Sequence, residues 1–215
     1  MEIVKFIPAI GFAILVSFSG VCRADDASVA VLQEINLART NPHQYAQFIV
    51  ADADARSKSD PRAMEEAVKF LSRAKPLPPL AFSNGLSMSA MAHVADQGSA
   101  GATGHNGTDR SSPWDRMARY GQKVGYAGEN ISYGVSSARQ IVISLIVDAG
   151  VSGRGHRKNL FTKNYGVVGV ACGAHAHYGT MCVMDFASQF IESPRYSDAR
   201  KPATASARTA WNGPI

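Results

Sequence analysis

The chain of 215 residues is poor in cysteine, with three: Cys22, Cys172 and Cys182. That excludes a cysteine-dense scaffold and any paired Cys-x-x-Cys metal knuckle. There is no glycine-rich phosphate loop, no Gly-x-Ser-x-Gly elbow and no His-Glu-x-x-His helix. The common signatures of nucleotide binding, serine hydrolysis and zinc proteolysis are therefore missing. Charge of one sign does not build up either. Lys+Arg number 22 against 17 Asp+Glu, a formal net charge of +5. That is too little, and too scattered, for a nucleic-acid partner. No internal repeat is present.

Long apolar runs are also missing, except near the start. Lys5 precedes a nearly unbroken apolar run from Ile7 to Phe18, and Cys22-Arg23-Ala24 places small residues before Asp25-Asp26. This pattern predicts a signal peptide over residues 1–24, cleaved after Ala24. The run is short for a bilayer span. A retained anchor and lipidation at Cys22 are the alternatives, the second disfavoured by Val21 just before the cysteine. The mature chain is expected to be secreted or periplasmic, with no stable membrane insertion after cleavage. About 190 residues then remain, enough for one domain with a sizeable core.

Val31, Leu32, Ile35 and Ala38 repeat at helical spacing over Ala27 to Arg39. Asn41 is placed to cap a second helix, with Pro42 at its first position. Further helices are expected over Arg62 to Arg73, over Leu86 to Gln97 with Ser83 as cap, and from Ser112-Pro113 to Tyr120. On the helix over Leu86 to Gln97, Met88, Met91 and Ala95 read as the core face, and His93 as a structural histidine. Gly98 to Gly107 reads as irregular. Glu129 to Tyr133 is a short strand. Ser137 to Asp148 is rich in β-branched residues, yet its length and serine caps favour a buried helix. Helices that precede a few late strands predict an α+β fold with an antiparallel sheet. Residues 25–192 form the domain. Residues 193–215, rich in Ala, Ser, Thr and Arg, read as a disordered basic tail.

Removal of the leader leaves Cys172 and Cys182, an even pair in an exported chain. Gly166 to Cys172 and Thr180 to Ala187 are strand-like. A hairpin folded about His177 sets 172 opposite 182, so a disulfide is expected. His175 and His177 lie on the connection, either as a surface metal pair or as an exposed turn.

Two histidines and an acid stand where no apolar core asks for them: His105 in Gly104-His105-Asn106-Gly107, Glu129 in Gly128-Glu129-Asn130-Ile131, and His156 in Gly155-His156-Arg157-Lys158-Asn159-Leu160. Imidazole and carboxylate from distant segments are the raw material of a metal or acid–base site. Together with Glu34-Ile35-Asn36-Leu37-Ala38-Arg39, Leu77-Pro78-Pro79-Leu80 and Gly166-Val167-Val168-Gly169-Val170-Ala171, these runs resemble the CAP superfamily (cysteine-rich secretory protein, antigen 5, pathogenesis-related protein 1). The likeness covers roughly residues 28 to 190 and is nearer the bacterial branch, since only one cysteine pair is present.

The resemblance implies a three-layer α-β-α sandwich with one open cavity holding two histidines and two acids. His105 and His156 match the histidines and Glu129 the first acid. Asp148 stands near the second acid, where many members have glutamate. Zn²⁺ is the candidate cofactor, held by His105 and His156 with the carboxylates directly or behind them. The function expected is a binding module for a small amphipathic or lipid-like ligand, or for a protein surface. The alternative is a zinc-dependent hydrolase using the same cavity. The sequons at Asn106 and Asn130 abut that cavity and read as coincidental.

Overall fold

The computed structural model describes residues 26–52 and 60–197. The expected signal peptide, the middle of the polar loop after Asp52 and the basic tail from residue 198 lie outside the described residues.

The helices are α1 (Asp26–Thr40), α2 (Pro42–Ala51), α3 (Pro61–Leu71), α4 (Asn84–Ala100), α5 (Pro113–Ala118), α6 (Ala138–Val147), α7 (Gly155–Leu160) and α8 (Pro194–Ser197). The strands are β1 (Ala81–Phe82), β2 (Gly121–Tyr133), β3 (Val167–His175) and β4 (Gly179–Glu192). The sheet runs β1-β3-β4-β2, so β2 is an edge. β4 pairs antiparallel with both long neighbours, and β1 joins β3 in parallel. The sheet is therefore mixed, not purely antiparallel. The proline-rich stretch before Leu80 leads the chain in extended, and Ala81 and Ser83 N–H donate to the Gly166 and Val168 carbonyls.

The two faces of the sheet serve two helical layers, because successive strand residues point to opposite sides. Cys182, Met184 and Phe186 of β4 join Val168 and Val170 in the main core, with α1, α2, α3 and α6. Met181 and Val183 point the other way, with Ala171 and Ile131, onto Ala90 of α4. This is the three-layer α-β-α sandwich. Each buried Ile, Leu or Val side chain contributes about 1.5–3 kcal/mol to it.

α6 is enclosed on nearly all sides. Ile141, Val142, Ile143, Leu145, Ile146 and Val147 are all buried. Contact on every side overrides their strand preference, so the run is helical as its length suggests.

α4 meets the sheet closely. A Cβ on Gly169 would fall 2.0 Å from the Ser87 nitrogen and 2.1 Å from the Leu86 carbonyl carbon. Only glycine lets helix and strand approach so far. The face of α4 turned inward is Leu86, Ser89, Ala90, His93 and Gln97. The face expected from Met88, Met91 and Ala95 is its rim, with Ala95 exposed. The small inward residues mattered more than the large apolar ones. α4 also runs three residues into the glycine-rich stretch, to a left-handed cap at Gly101.

Other local differences are small. Asn41 makes no side-chain cap bond to α2, whereas Ser83 and Ser112 cap α4 and α5. The tail does not begin at residue 193 as irregular chain. Pro194–Ser197 is helical, Asn84 Nδ2 donates to the Tyr196 carbonyl, and the Tyr196 ring packs edge-on to Tyr120.

Candidate functional site

β2 supplies the middle of the site. Its adjacent residues Glu129 and Asn130 point to opposite faces, Glu129 toward α4 and Asn130 toward α6 and α7. Each face meets one histidine.

On the first face, His105 Nδ1 lies 2.7 Å from Glu129 Oε1. Glu129 Oε2 receives Arg116 of α5. The same guanidinium donates to the carbonyls of His105 at 2.9 Å and Ser111 at 3.1 Å. It thus fixes the histidine loop and the acid together. Arg116 and Glu129 side chains are each 2% exposed, while His105 is half open at 51%. Burial alone would push the Glu129 carboxyl up. The His105 hydrogen bond and the Arg116 charge outweigh it and hold the group below the usual carboxylate range.

On the second face, α6 ends at Asp148 in a left-handed conformation, φ 54°. Asp tolerates this better than most residues. The reversal aims the carboxylate at α7. Asp148 Oδ1 lies 2.7 Å from His156 Nδ1, and Oδ2 accepts from the His156 backbone N–H at 3.0 Å. Arg157 next door satisfies the open end of α6, donating to the Ile146 and Val147 carbonyls.

Two asparagines tie the faces together. Asn130 Nδ2 donates to the His156 carbonyl at 3.1 Å. Asn159 Nδ2 donates to Asn130 Oδ1 at 2.8 Å and to the Glu129 carbonyl at 3.2 Å. Gly128 makes room for this: a Cβ there would meet the Tyr165 hydroxyl at 2.4 Å. Fully buried and bonded on both sides, Asn130 offers no glycan acceptor.

Thus His105 pairs with Glu129 and His156 with Asp148, on two sides of one edge strand. Because a carboxylate only accepts, each Nδ1 carries the hydrogen. Each Nε2 has no hydrogen-bond partner among the described residues. The carboxylate oxygens are already engaged, so the acids orient the rings and do not present free ligand atoms. Among the described residues, no group of three or more His, Cys, Asp or Glu is placed to hold an ion.

A groove of about 700 Å³ lies elsewhere, lined by Glu66, Phe70, Val151, Arg154, Arg157 and Lys158. None of the four site residues lines it. The hairpin histidines are not a metal pair. His175 is buried, its Nε2 reaches the Ala102 carbonyl at 2.8 Å, and its Nδ1 accepts from the His177 and Tyr178 backbone N–H groups.

Arg116 and Asn159 act in the site beyond the residues singled out from the sequence. Asn159 lies inside the Gly-His-Arg-Lys-Asn-Leu run, which hinted at it. Arg116 carried no local signal except the Ser112-Asp115 capping box that fixes its helix.

The similarity to known proteins follows the same lines. The profile of the cysteine-rich secretory protein family (CAP) matches residues 32–186, which hold most of the elements just described. YkwD of Bacillus subtilis (strain 168) is 33% identical over 94 residues, 44% of this chain. The match spans 35% of that relative's length. An extracellular SCP-domain protein from Bacillus anthracis str. Ames is 21% identical, with a TM-score of 0.44, over 64% of this chain and 44% of that one. An outer surface protein from Borrelia burgdorferi is 15% identical, with a TM-score of 0.45, over 61% of this chain and 88% of that one. With the family profile matched across most of its length, the chain belongs to the CAP family.

Proposed function

We propose that this chain is an exported binding module whose ligand meets the Nε2 atoms of His105 and His156. One observation carries the reading: each Nδ1 is committed to a buried carboxylate. A ring held in that way presents its Nε2 lone pair outward, as a hydrogen-bond acceptor or a metal ligand. Both rings are accessible, at 51% and 24% exposure. The strand that carries Glu129 also exposes Val124 and Tyr126 farther along. These supply apolar surface for a small amphipathic ligand.

Neutral imidazole nitrogen is a Zn²⁺ ligand, so His105 and His156 would be the residues to hold the ion through Nε2, with the remaining positions left to the ligand. When bound, the ion would supply Lewis acidity to a carbonyl or phosphoryl group. The protein's own part is to hold both rings oriented and both carboxylates behind them. Export follows from the leader-like run and Cys-Arg-Ala before Asp25.

The test is calorimetric titration of the purified protein with zinc chloride. Wild type is expected to bind, and His105→Ala/His156→Ala to lose binding while keeping its unfolding midpoint. Equal binding by the double variant, or none by wild type, would remove the metal from the reading. Turnover of an ester or amide probe that a chelator abolishes would move the site into the hydrolase class.

A further inference from the structure

Five buried side-chain atoms have no hydrogen-bond partner among the described residues, and all five belong to one cluster. They are Ser89 Oγ, His93 Nδ1, Arg116 Nε and both oxygens of Asp185. The cluster sits behind Glu129. Asp185 of β4 pairs in register with Glu129 of β2 and with Gly169 of β3. Ser89 and His93, one turn apart on α4, share the helix face that packs over this row. Asp185, Ser89 and His93 are each 0% exposed and Arg116 2%.

Ion count and hydrogen count agree on what is missing. Arg116 and Glu129 already balance one positive against one negative charge. An ionised Asp185 would be a second, unpaired anion in a sealed layer, a costly arrangement. Hydrogens are short as well. His93 Nε2 faces the Gly104 carbonyl at 2.9 Å and must donate to it, which leaves Nδ1 as an acceptor. With Asp185 ionised, the cluster offers only the Ser89 hydroxyl and Arg116 Nε–H as spare donors against the His93 nitrogen and two carboxylate oxygens. One proton on Asp185 corrects both counts.

That proton has one favoured seat. Burial and then the Arg116 charge push the His93 imidazole down, against the pull of the Gly104 carbonyl. Burial and then the Glu129 charge push the Asp185 carboxyl well up. Arg116 of α5 pushes both groups down and Glu129 of β2 pushes both up, as Asp96 of α4 does His93. Burial is the largest influence on each and favours the neutral form of both, a protonated Asp185 beside an uncharged His93.

We propose that Asp185 is a buried neutral carboxylic acid and a positioning residue for His105, acting through Glu129. A neutral Asp185 leaves the Glu129 carboxylate to accept from His105 Nδ1–H through one oxygen and from Arg116 through the other. An ionised Asp185 would set a second negative charge against Glu129 in the same sealed layer and compete with it for the Arg116 guanidinium. The protonation of Asp185 stands by itself. Its consequence for ligand capture rests on the binding role of His105 proposed above.

The experiment compares metal-free wild type with Asp185→Asn by infrared difference spectroscopy and by ¹⁵N spectra of the histidine rings at neutral pH. The expected result is a carboxylic-acid C=O band in wild type that is missing from the variant, with His105 as the same Nδ1–H tautomer in both. Absence of the band in wild type overturns the proposal. So does a His105 ring that loses its Nδ1–H tautomer when Asp185 becomes a neutral amide. If the variant does not fold, ¹³C-labelled aspartate in wild type replaces it: one carboxyl must hold its protonated shift from about pH 5 to neutral, above the usual aspartate range. Neither readout uses zinc, so failure of the metal reading leaves this one standing, and the reverse.

Discussion

Arg116 and Glu129 form a salt bridge in which both side chains are all but sealed from water, and the half-open ring of His105 rests on it. The arginine therefore sets the position of the histidine although it does not touch the ring. It holds the His105 carbonyl with one terminal nitrogen and the Glu129 carboxylate with the other. Such a pair is worth little as a net source of stability, yet its rupture is severe.

Arg116→Ala strands a buried carboxylate. We expect destabilisation of about 3–5 kcal/mol, measured by urea unfolding. Glu129→Gln added to Arg116→Ala should recover part of the loss, since the uncompensated charge is then gone. A loss below about 1 kcal/mol in the single variant would contradict the sealed pair.

Asp185 should give stability a distinctive pH slope. Its raised carboxyl keeps a proton in the folded chain that the unfolded chain releases above about pH 4. The folded state then binds more protons, so stability falls as pH rises through that window. Glu129, held low, works in the opposite sense and loses its contribution only as pH drops below the usual carboxylate range. The stability of Asp185→Asn minus that of wild type should therefore grow from about pH 4 upward. A difference that shrinks with pH would show Asp185 ionised.

Gly169→Ala tests the closest helix–sheet approach. The new methyl group meets backbone on two sides, at Ser87 and Leu86. Backbone cannot rotate away as a side-chain tip can. We expect a loss of about 1–3 kcal/mol or more, read from the thermal midpoint. By contrast, Gly155→Ala, where nothing lies within 4 Å, should be mild.

The Cys172–Cys182 bridge joins partners directly opposite on β3 and β4, ten residues apart. Closing so short a loop contributes about 2–3 kcal/mol. Reductant should lower the urea midpoint of wild type accordingly and leave Cys172→Ser/Cys182→Ser unchanged. Labelling of oxidised protein with a thiol reagent should give no signal from either position.

Much of this was legible in the chain. The hairpin and its bridge followed from two strand-like runs placed evenly about His177. The helical spacing over α1, Pro42 at the start of α2, and the serine and proline signals before α4 and α5 gave those elements to within a few residues. The inward face of α4 was not legible. Its apolar spacing pointed to Met88 and Met91, but the close approach of its backbone to Gly169 turns another face inward, with Ser89, Ala90, His93 and Gln97 on it, and that pairing is a tertiary fact. Asp185 was hidden for a related reason. In Met181-Cys182-Val183-Met184-Asp185-Phe186 it reads as one polar residue in a buried strand. Only the register opposite Glu129 shows that two acids must share a layer.

That register has a consequence for how the chain matures. Cys182, Met184 and Phe186 look into one layer, and Val183 and Asp185 into the other. A slip of β4 by one residue would drive Asp185 into the hydrocarbon side and carry the two sulfurs to opposite faces of the ribbon. The bond between Cys172 and Cys182 fits the native pairing of β3 with β4 and not a hairpin slipped by one. Once closed, the bond therefore pins β4 against β3 in the register that keeps Asp185 opposite Gly169, on the α4 side of the sheet.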